Sequence, residues 1–383
     1  MKILTYNLGM LFPFNDKNNQ NKIDNIINII FSYDIIVFQE ILYKPSREYL
    51  IEKIKLKGFL FNHYFSHGPG FLFSKNYSGT GLLVVSKYPI IETIYKKYSI
   101  NGKPHKILHS DYMIDKGIGL CYIQFNNIII NLYVTHLHAN YVDKWSLLNH
   151  NDEYKHHRIA QLFELAQFIR ITKNNNFNIL CGDLNCDELT KYKNIYLPAI
   201  SILKYISNMN DCMYEIYKNK LYKYPNKFST FTNYNNNSYP PQRLDYIFYN
   251  SNTHKLLHSK LINFNNLSDH IGVESIFDNI QEYNILPIKK DNNTIITYIY
   301  DNFNSAINEN KINITNNKYK TFYLFLLLSI MTFIPFYNIY LFIFYKIMFI
   351  FNIINIFISF NLQKNLRSFI ELKNEIKYFI KNK

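Results

Sequence analysis

The sequence predicts an α+β fold: a two-layer β-sandwich flanked by helices, followed by a C-terminal transmembrane helical hairpin. Three observations lead there. Apolar runs of strand length recur through residues 1–278, and some are close enough to pair as hairpins. Segments of helical spacing are interleaved with them. Beyond residue 320 the chain turns almost purely apolar. Interleaving alone would also suit a doubly wound parallel sheet, but the hairpins favour packed sheets with helices outside.

In order, residues 3–6 form a short strand ending at Asn7-Leu8-Gly9. Ile23, Ile26, Ile27 and Ile30 give residues 21–32 a helical stripe. Residues 35–38 are an apolar run bounded by Asp34 and Gln39-Glu40, which places Glu40 at a strand end. A helix over 48–56 follows, then strands at 59–64, 81–85 and 90–94, with a glycine-bearing loop at 67–70. Residues 119–125 and 128–135 flank Asn126-Asn127 as a hairpin, and the second strand runs into Thr135-His136-Leu137-His138. Residues 153–171 make a helix with an apolar face of Ile159, Leu162, Phe163, Ala166, Phe168 and Ile169. Residues 178–181 are a buried strand that opens at Gly182 into a loop carrying Asp183 and Asn185. An extended backbone there would aim both side chains one way. Strands at 243–249 and 271–276 complete the unit, with Ser268-Asp269-His270 ahead of the last.

Of 383 residues, 48% are hydrophobic and 17% aromatic, with 34 tyrosines and 31 phenylalanines, which is ample for one large core. The formal charge of +14 favours an anionic partner, a membrane surface or a nucleic acid; an Asn- and Lys-rich coding bias would raise it equally. The four cysteines have neither zinc-ligand spacing nor the density of a disulfide framework, and read as reduced thiols. The first residues lack the apolar region of a signal peptide.

The sequence divides into a large N-terminal domain at 1–278, which the motifs below make the catalytic one, a polar linker at 279–320, two apolar helices or a hairpin at 321–361, and a basic amphipathic tail at 362–383. Pro335, Tyr337 and Asn338 break the apolar stretch, and each half approaches the length needed to cross a bilayer. Lys318 and Lys320 precede it, and Lys364, Arg367 and Lys373 follow. Basic flanks on both sides predict that the catalytic domain and tail both face the cytosol. The tail can lie on an anionic leaflet, so an anionic lipid activator is expected as a partner.

Polar residues collect at the strand ends. Thr5-Tyr6-Asn7, Gln39-Glu40, Thr135-His136-Leu137-His138, Gly182-Asp183-Leu184-Asn185, Arg243-Leu244-Asp245-Tyr246 and Ser268-Asp269-His270 follow one another in an order that resembles the endonuclease/exonuclease/phosphatase superfamily. Within it the chain is similar to the magnesium-dependent, membrane-bound neutral sphingomyelinases. Asp111 followed by Lys116-Gly117, the block around His136 with His157-Arg158 beyond it, and the C-terminal apolar hairpin carry that likeness.

The resemblance implies a phospholipase C that needs Mg2+ (Mn2+ being possible), acts on sphingomyelin and also on lysophosphocholine lipids, and binds no nucleic acid. A phosphodiester is anionic, and a dication with hard oxygen ligands offsets that charge. Glu40 is the expected primary metal ligand, with Asn7 and Asp269 assisting. His270 is the expected base, with Asp245 fixing its tautomer. His136 and Asn185 would donate to the developing negative charge, and Asp183 would orient water or the leaving oxygen. The division between His136 and His270 comes from the resemblance alone. Asp111 and Lys116 are either an ordinary surface ion pair or, by resemblance, a substrate-binding or switch pair.

Two other readings compete. A nuclease or phosphoinositide phosphatase on the same scaffold would suit the positive charge, though the apolar hairpin argues against it and the only tryptophan is Trp145. An inactive lipid-binding scaffold would not need polar groups at every motif.

Overall fold

The computed structural model describes residues 1–10, 16–67, 79–103, 106, 109–141, 152–186, 199–231, 242–265, 267–279, 293–331 and 339–381. It divides into two compact units, Met1–Asn101 with Met113–Ile295, and Gly102–Tyr112 with Ile296–Lys383.

The first unit contains two six-stranded sheets. One is built from β1 (Lys2–Met10), β2 (Ile35–Ile41), β3 (Phe61–Tyr64), β4 (Leu83–Ser86), β11 (His254–Ile262) and β12 (Gly272–Asn279), in the order β11-β12-β1-β2-β4-β3. The other contains β5 (Ile90–Lys97), β6 (Gly117–Phe125), β7 (Ile128–His136), β8 (Phe177–Asp183), β9 (Asn210–Asp211) and β10 (Asp245–Ser251), in the order β5-β6-β7-β8-β10-β9. Each sheet is mixed. β1 runs parallel to β2 and β7 parallel to β8, while the other pairs are antiparallel.

Alternation along the strands decides which core each residue enters. Ile3, Ile35, Val37 and Val273 from the first sheet meet Cys121, Leu132, Ile179, Cys181 and Ile247 from the second, forming one core between the sheets. The intervening residues Leu4, Tyr6, Ile36 and Phe38 face outward. They pack on Ile23, Ile26, Ile27 and Ile30 of α1 (Asp16–Ile30) and on Leu50 and Ile54 of α2 (Lys44–Lys55). α3 (Lys155–Thr172) belongs to the second sheet's side and is buried nearly all round. Two of its buried polar side chains tie it to neighbouring segments: Gln161 accepts from the His138 amide and donates to the Ile100 carbonyl, and Glu164 accepts from Ser99. The short helices α4 (Ala199–Ser207), α5 (Cys212–Tyr217) and α6 (Lys220–Lys223), with β9 and β11, were not anticipated from the sequence.

The second unit contains two long helices, α7 (Asn293–Met331) and α8 (Ile339–Lys381). The linker expected at 279–320 is therefore helical from Asn293 onward, and one helix carries the polar segment straight into the apolar one. They pair antiparallel: Asn317 donates to the Asn355 carbonyl and to Ser359 Oγ at 2.7 and 2.6 Å, and Phe303 lies 6.0 Å from Phe369. Residues Phe342–Ile380 form a helix long and apolar enough to cross a membrane. The expected break at Pro335, Tyr337 and Asn338, and Trp145, lie outside the described residues.

Candidate active site

The rows of residues that fill the space between the sheets continue past the end of the core, and there they change from apolar to polar. Ile3 and Thr5 are followed on the same face of β1 by Asn7; Ile130, Leu132 and Val134 on β7 by His136; Ile179 and Cys181 on β8 by Asp183; and Ile247 on β10 is preceded by Asp245. One alternation thus delivers four polar side chains to one place. The register holds them level, with His136 opposite Asp183 and Asp183 opposite Asp245. Gly182 permits the close approach of β7 and β8, since a Cβ there would stand 2.1 Å from the Thr135 carbonyl oxygen.

Two residues reach the site by leaving this pattern. Glu40 has φ of 60° and Asn185 has φ of 47°, the left-handed region that side chains other than glycine rarely adopt. The extended backbone expected between Asp183 and Asn185 is thereby corrected. The Asn185 amide instead donates to Asp183 Oδ1 at 2.8 Å, an Asx turn, and its side chain donates to the Leu137 carbonyl at 3.0 Å.

Asp183 lies at the centre. Its Oδ2 accepts from Asn7 Nδ2 at 3.0 Å and stands 3.7 Å from His136 Nε2 and 3.8 Å from His270 Nε2. His136 Nε2 is also 3.8 Å from Glu40 Oε1. His270 Nδ1 is 2.8 Å from Asp245 Oδ2, which orients the ring so that Nε2 faces Asp183. His270 bridges to Phe231 through the backbone, so a segment outside the named strands fixes its position.

The carboxylates crowd one another. Burial, then the charge of Asp245, pushes Asp183 up to about 7 against the opposing pull of His270. Burial also raises Glu40, and Asp269 adds to it, while His270, Asn7 and Lys116 work the other way. Burial alone would lower His270, but Asp245, Asp183 and Asp269 together raise it well above its ordinary value.

This arrangement fits a divalent cation. The ligand atoms of Glu40, His136 and Asp183 lie within 4.8 Å of one another, as do those of Asp183, Asp245 and His270. Oδ1 of the fully buried Asp245 has no hydrogen-bond partner among the described residues, so the pocket holds spare acceptor capacity as well as excess negative charge. The donors are mostly carboxylate oxygens, the set a hard dication prefers. Of the expected metal residues, Glu40 belongs to the first cluster. Asn7 bonds to Asp183 and Glu40, and Asp269 acts on Glu40 through its charge and accepts from Ser268 Oγ.

Lys116 is 2% exposed, so it is not half of a surface ion pair. Its ammonium donates to the Leu137 carbonyl at 2.6 Å, the same oxygen that accepts from Asn185, and its charge acts on Glu40. Asp111 falls in the other unit, in the short 3-10 turn Ser110–Tyr112. His138, two residues beyond His136, is fully buried and stacks on Tyr154 at 4.0 Å.

Several supporting residues gave no signal in the sequence. Thr230 Oγ1 accepts from the amides of Leu244 and Asp245 and so anchors the start of β10. Ser268, already part of a motif in the sequence, adds a contact of the same kind, its Oγ donating to the Asn7 carbonyl. Arg47 donates to the carbonyls of Ile41 and Leu42 just beyond Glu40, and its guanidinium sits 3.6 Å over the ring of Tyr64. The Tyr64 hydroxyl accepts from Gly81, whose carbonyl accepts from Ile41.

Two facing mixed sheets, helices outside, and an acidic, imidazole-bearing pocket at the strand ends define a recognisable class of fold and site. Residues 4–270 match the endonuclease/exonuclease/phosphatase family, and the chain belongs to it. It is 38% identical over 215 residues to the "Putative neutral sphingomyelinase" of Drosophila melanogaster, covering 55% of this chain and 43% of that protein. It is 33% identical over 189 residues to "Sphingomyelin phosphodiesterase 2" of Rattus norvegicus, covering 48% and 41%. The chain thus spans less than half the length of these relatives. Among solved structures, sphingomyelinase C from Streptomyces griseocarneus superposes with a TM-score of 0.51 at 14% identity, over 72% of this chain and 98% of that one. D. rerio TDP2 complexed with a single-strand DNA product superposes with a TM-score of 0.52 at 15% identity, over 73% and 98%. The two neighbours differ in activity and share the fold.

Proposed function

We propose that the chain is a magnesium-dependent phospholipase C that hydrolyses sphingomyelin to ceramide and phosphocholine, with lysophosphocholine lipids as further substrates and Mn2+ able to replace Mg2+. The observation that carries the reading is the convergence of Asn7, Glu40, His136, Asp245 and His270 around Asp183 at one end of the sheets. The likeness to relatives named as sphingomyelinases supports the choice of lipid over other phosphodiesters.

Glu40, with Asn7 and Asp269 beside it, would hold the cation, and His136 and Asp183 border the same space. When bound, the cation offsets the charge of the phosphodiester and polarises its phosphoryl oxygen. With the cation's charge opposing the carboxylates that raise it, His270 would be neutral and take a proton from the attacking water at Nε2. Asp245 holds Nδ1 and stabilises the cationic ring that results. Water adds to phosphorus and the bond to the ceramide oxygen breaks. Asp183, pushed up to about 7, stands between both imidazoles to orient the water or supply a proton to the leaving oxygen. His136 and Asn185 lend hydrogen bonds to the charge that develops on phosphorus oxygens. Lys116 adds positive charge beside Glu40, and Asp111 with Lys116 remains the proposed switch pair.

Residues 1–278 would form the catalytic domain. The C-terminal unit would anchor the chain in a bilayer with the catalytic domain and the basic tail on the cytosolic side, where an anionic lipid can activate it. The test is release of phosphocholine from sphingomyelin in mixed micelles at neutral pH, with Mg2+ and with chelator, for wild type and His270→Ala. Release that requires both the metal and His270 is the expected result. No release from sphingomyelin or lysophosphatidylcholine would refute the reading and turn attention to phosphoinositides, nucleic acids or a binding role.

A further inference from the structure

Within the C-terminal unit, an open cleft of about 390 Å3 lies between α7 and α8. Phe322, Phe325 and Phe360 are among its apolar walls, and Lys318, Asn352 and Ser359 are among its polar groups. The hydrogen bonds from Asn317 to Asn355 and Ser359 fix the antiparallel register. At about 1.5 Å rise per residue, that register sets Asn352 level with Phe322, roughly one helical turn from Lys318.

Asn352 is unusual there. It lines the cleft and is 7% exposed, yet its Oδ1 has no hydrogen-bond partner among the described residues. Among apolar side chains, an unmet acceptor is costly, so the position calls for a donor. One turn away, Lys318 calls for an anion.

We propose that this cleft binds a phosphate-bearing sphingolipid. Its phosphate meets Lys318, its backbone amide N–H or hydroxyl donates to Asn352 Oδ1, and its chain lies against Phe322, Phe325 and Phe360. A glycerophospholipid brings the same phosphate, but its ester linkages offer only acceptors at that depth and leave Oδ1 unmet. The cleft thus selects by hydrogen-bond donors. The inference rests on the proposed function, which sets the C-terminal unit in a bilayer containing sphingomyelin, and it gives that unit a second task, holding the substrate lipid near its anchor. The site is built from residues of this unit alone.

The experiment uses the full chain carrying His270→Ala, so that bound lipid is not consumed, in phosphatidylcholine nanodiscs. Photoactivatable sphingomyelin, chain-matched photoactivatable phosphatidylcholine and photoactivatable ceramide are compared, and adducts are mapped by mass spectrometry. Sphingomyelin adducts are expected on residues 318–325 and 352–363, exceeding those of phosphatidylcholine by about threefold to tenfold, the range of one hydrogen bond in a membrane. Asn352→Leu should bring sphingomyelin down to the phosphatidylcholine level. Lys318→Gln should lower sphingomyelin labelling without lowering that of ceramide. Equal labelling by the two phosphocholine lipids, or labelling unchanged in Asn352→Leu, would overturn the proposal. Ceramide labelling equal to that of sphingomyelin would overturn its phosphate component. Because this variant does not turn over, the labelling result stands apart from whether the wild-type chain releases phosphocholine.

Discussion

Arg243 and Asp211 form a buried pair whose removal has a calculable cost. Arg243 Nη1 and Nη2 donate to the two Asp211 oxygens at 2.7 and 2.6 Å, and both side chains are fully buried. The guanidinium also lies 4.3 Å from the centre of the Tyr246 ring. Arg243→Leu leaves an uncompensated carboxylate, which typically costs about 3–5 kcal/mol. Asp211 keeps two amide donors, Met213 and Tyr214 at the start of α5, so the lower end, about 3 kcal/mol, is expected.

The pH dependence gives the expectation a sign. Burial alone would raise Asp211, but Arg243 outweighs it and holds the carboxyl below its ordinary range. A depressed carboxylate contributes stability above its unfolded pKa and loses it as pH falls through its folded pKa. In Arg243→Leu only Lys204 and the amide donors still oppose the burial effect, so the folded pKa rises and the variant relieves its cost by taking a proton while the wild type is still ionised. The stability gap should therefore be widest near pH 7 and narrow toward pH 4. Cys121, Cys181 and Cys212 are buried free thiols in this unit, so thiol trapping across a urea series reports its opening in the full chain. A gap below about 1 kcal/mol at pH 7, the size of an exposed pair, would refute the reasoning. So would a gap that widens toward acid.

Three further outcomes follow from the same geometry. Arg47→Ala should weaken Mn2+ binding, measured by calorimetry, by about tenfold through release of the chain around Glu40, and Arg47→Lys should not restore it because the stack on Tyr64 needs the planar guanidinium. Lys116→Ala should lower turnover by roughly a hundredfold with the fold retained, as judged by thiol protection; wild-type turnover would end any role for it in the site. Burial pushes His254 down to about 4, so the wild type should lose up to about 3 kcal/mol between pH 6.5 and 4 as the unfolded chain takes up the proton. His254→Phe, which keeps the stack on Phe177 at 4.4 Å, should flatten that acid limb in urea titrations.

Much of the fold was legible because its strands obey simple alternation and its helices a simple stripe. Ile23, Ile26, Ile27 and Ile30 announce α1 and all four are buried. What was not legible depends on partners distant in sequence. β11 carries His254, Lys255, His258 and Lys260 among its apolar residues, and only its pairing with β12 makes it a strand. α5 follows Asp211, whose side chain accepts from the first helical amides, but the signal is one aspartate before a short apolar run. The polar, poorly periodic segment expected as a linker at 279–320 gives no sign of a helix as long as α7, within which Asn302 and Asn310 bond back to carbonyls four residues earlier.

The site divides in the same way, and the division is informative. Asn7, His136, Asp183 and Asp245 are the next members of rows that begin as Ile3, Val134, Cys181 and Ile247, so period two alone places them between the sheets. Glu40 is out of phase. Ile35 and Val37 of β2 face the intersheet core while Ile36 and Phe38 face the helices, so alternation would send Glu40 toward α1 and α2. The left-handed φ of 60° breaks the pleat and turns the carboxylate to within 3.8 Å of His136 on the opposite sheet. A conformation that L residues avoid persists only where neighbours hold it. Here Gly81 accepts from the Ile41 amide, and Arg47 grips the next two carbonyls. The carboxylate most needed to hold a cation is thus the one whose direction the strand pattern gets wrong, and the surrounding contacts supply what the pattern does not.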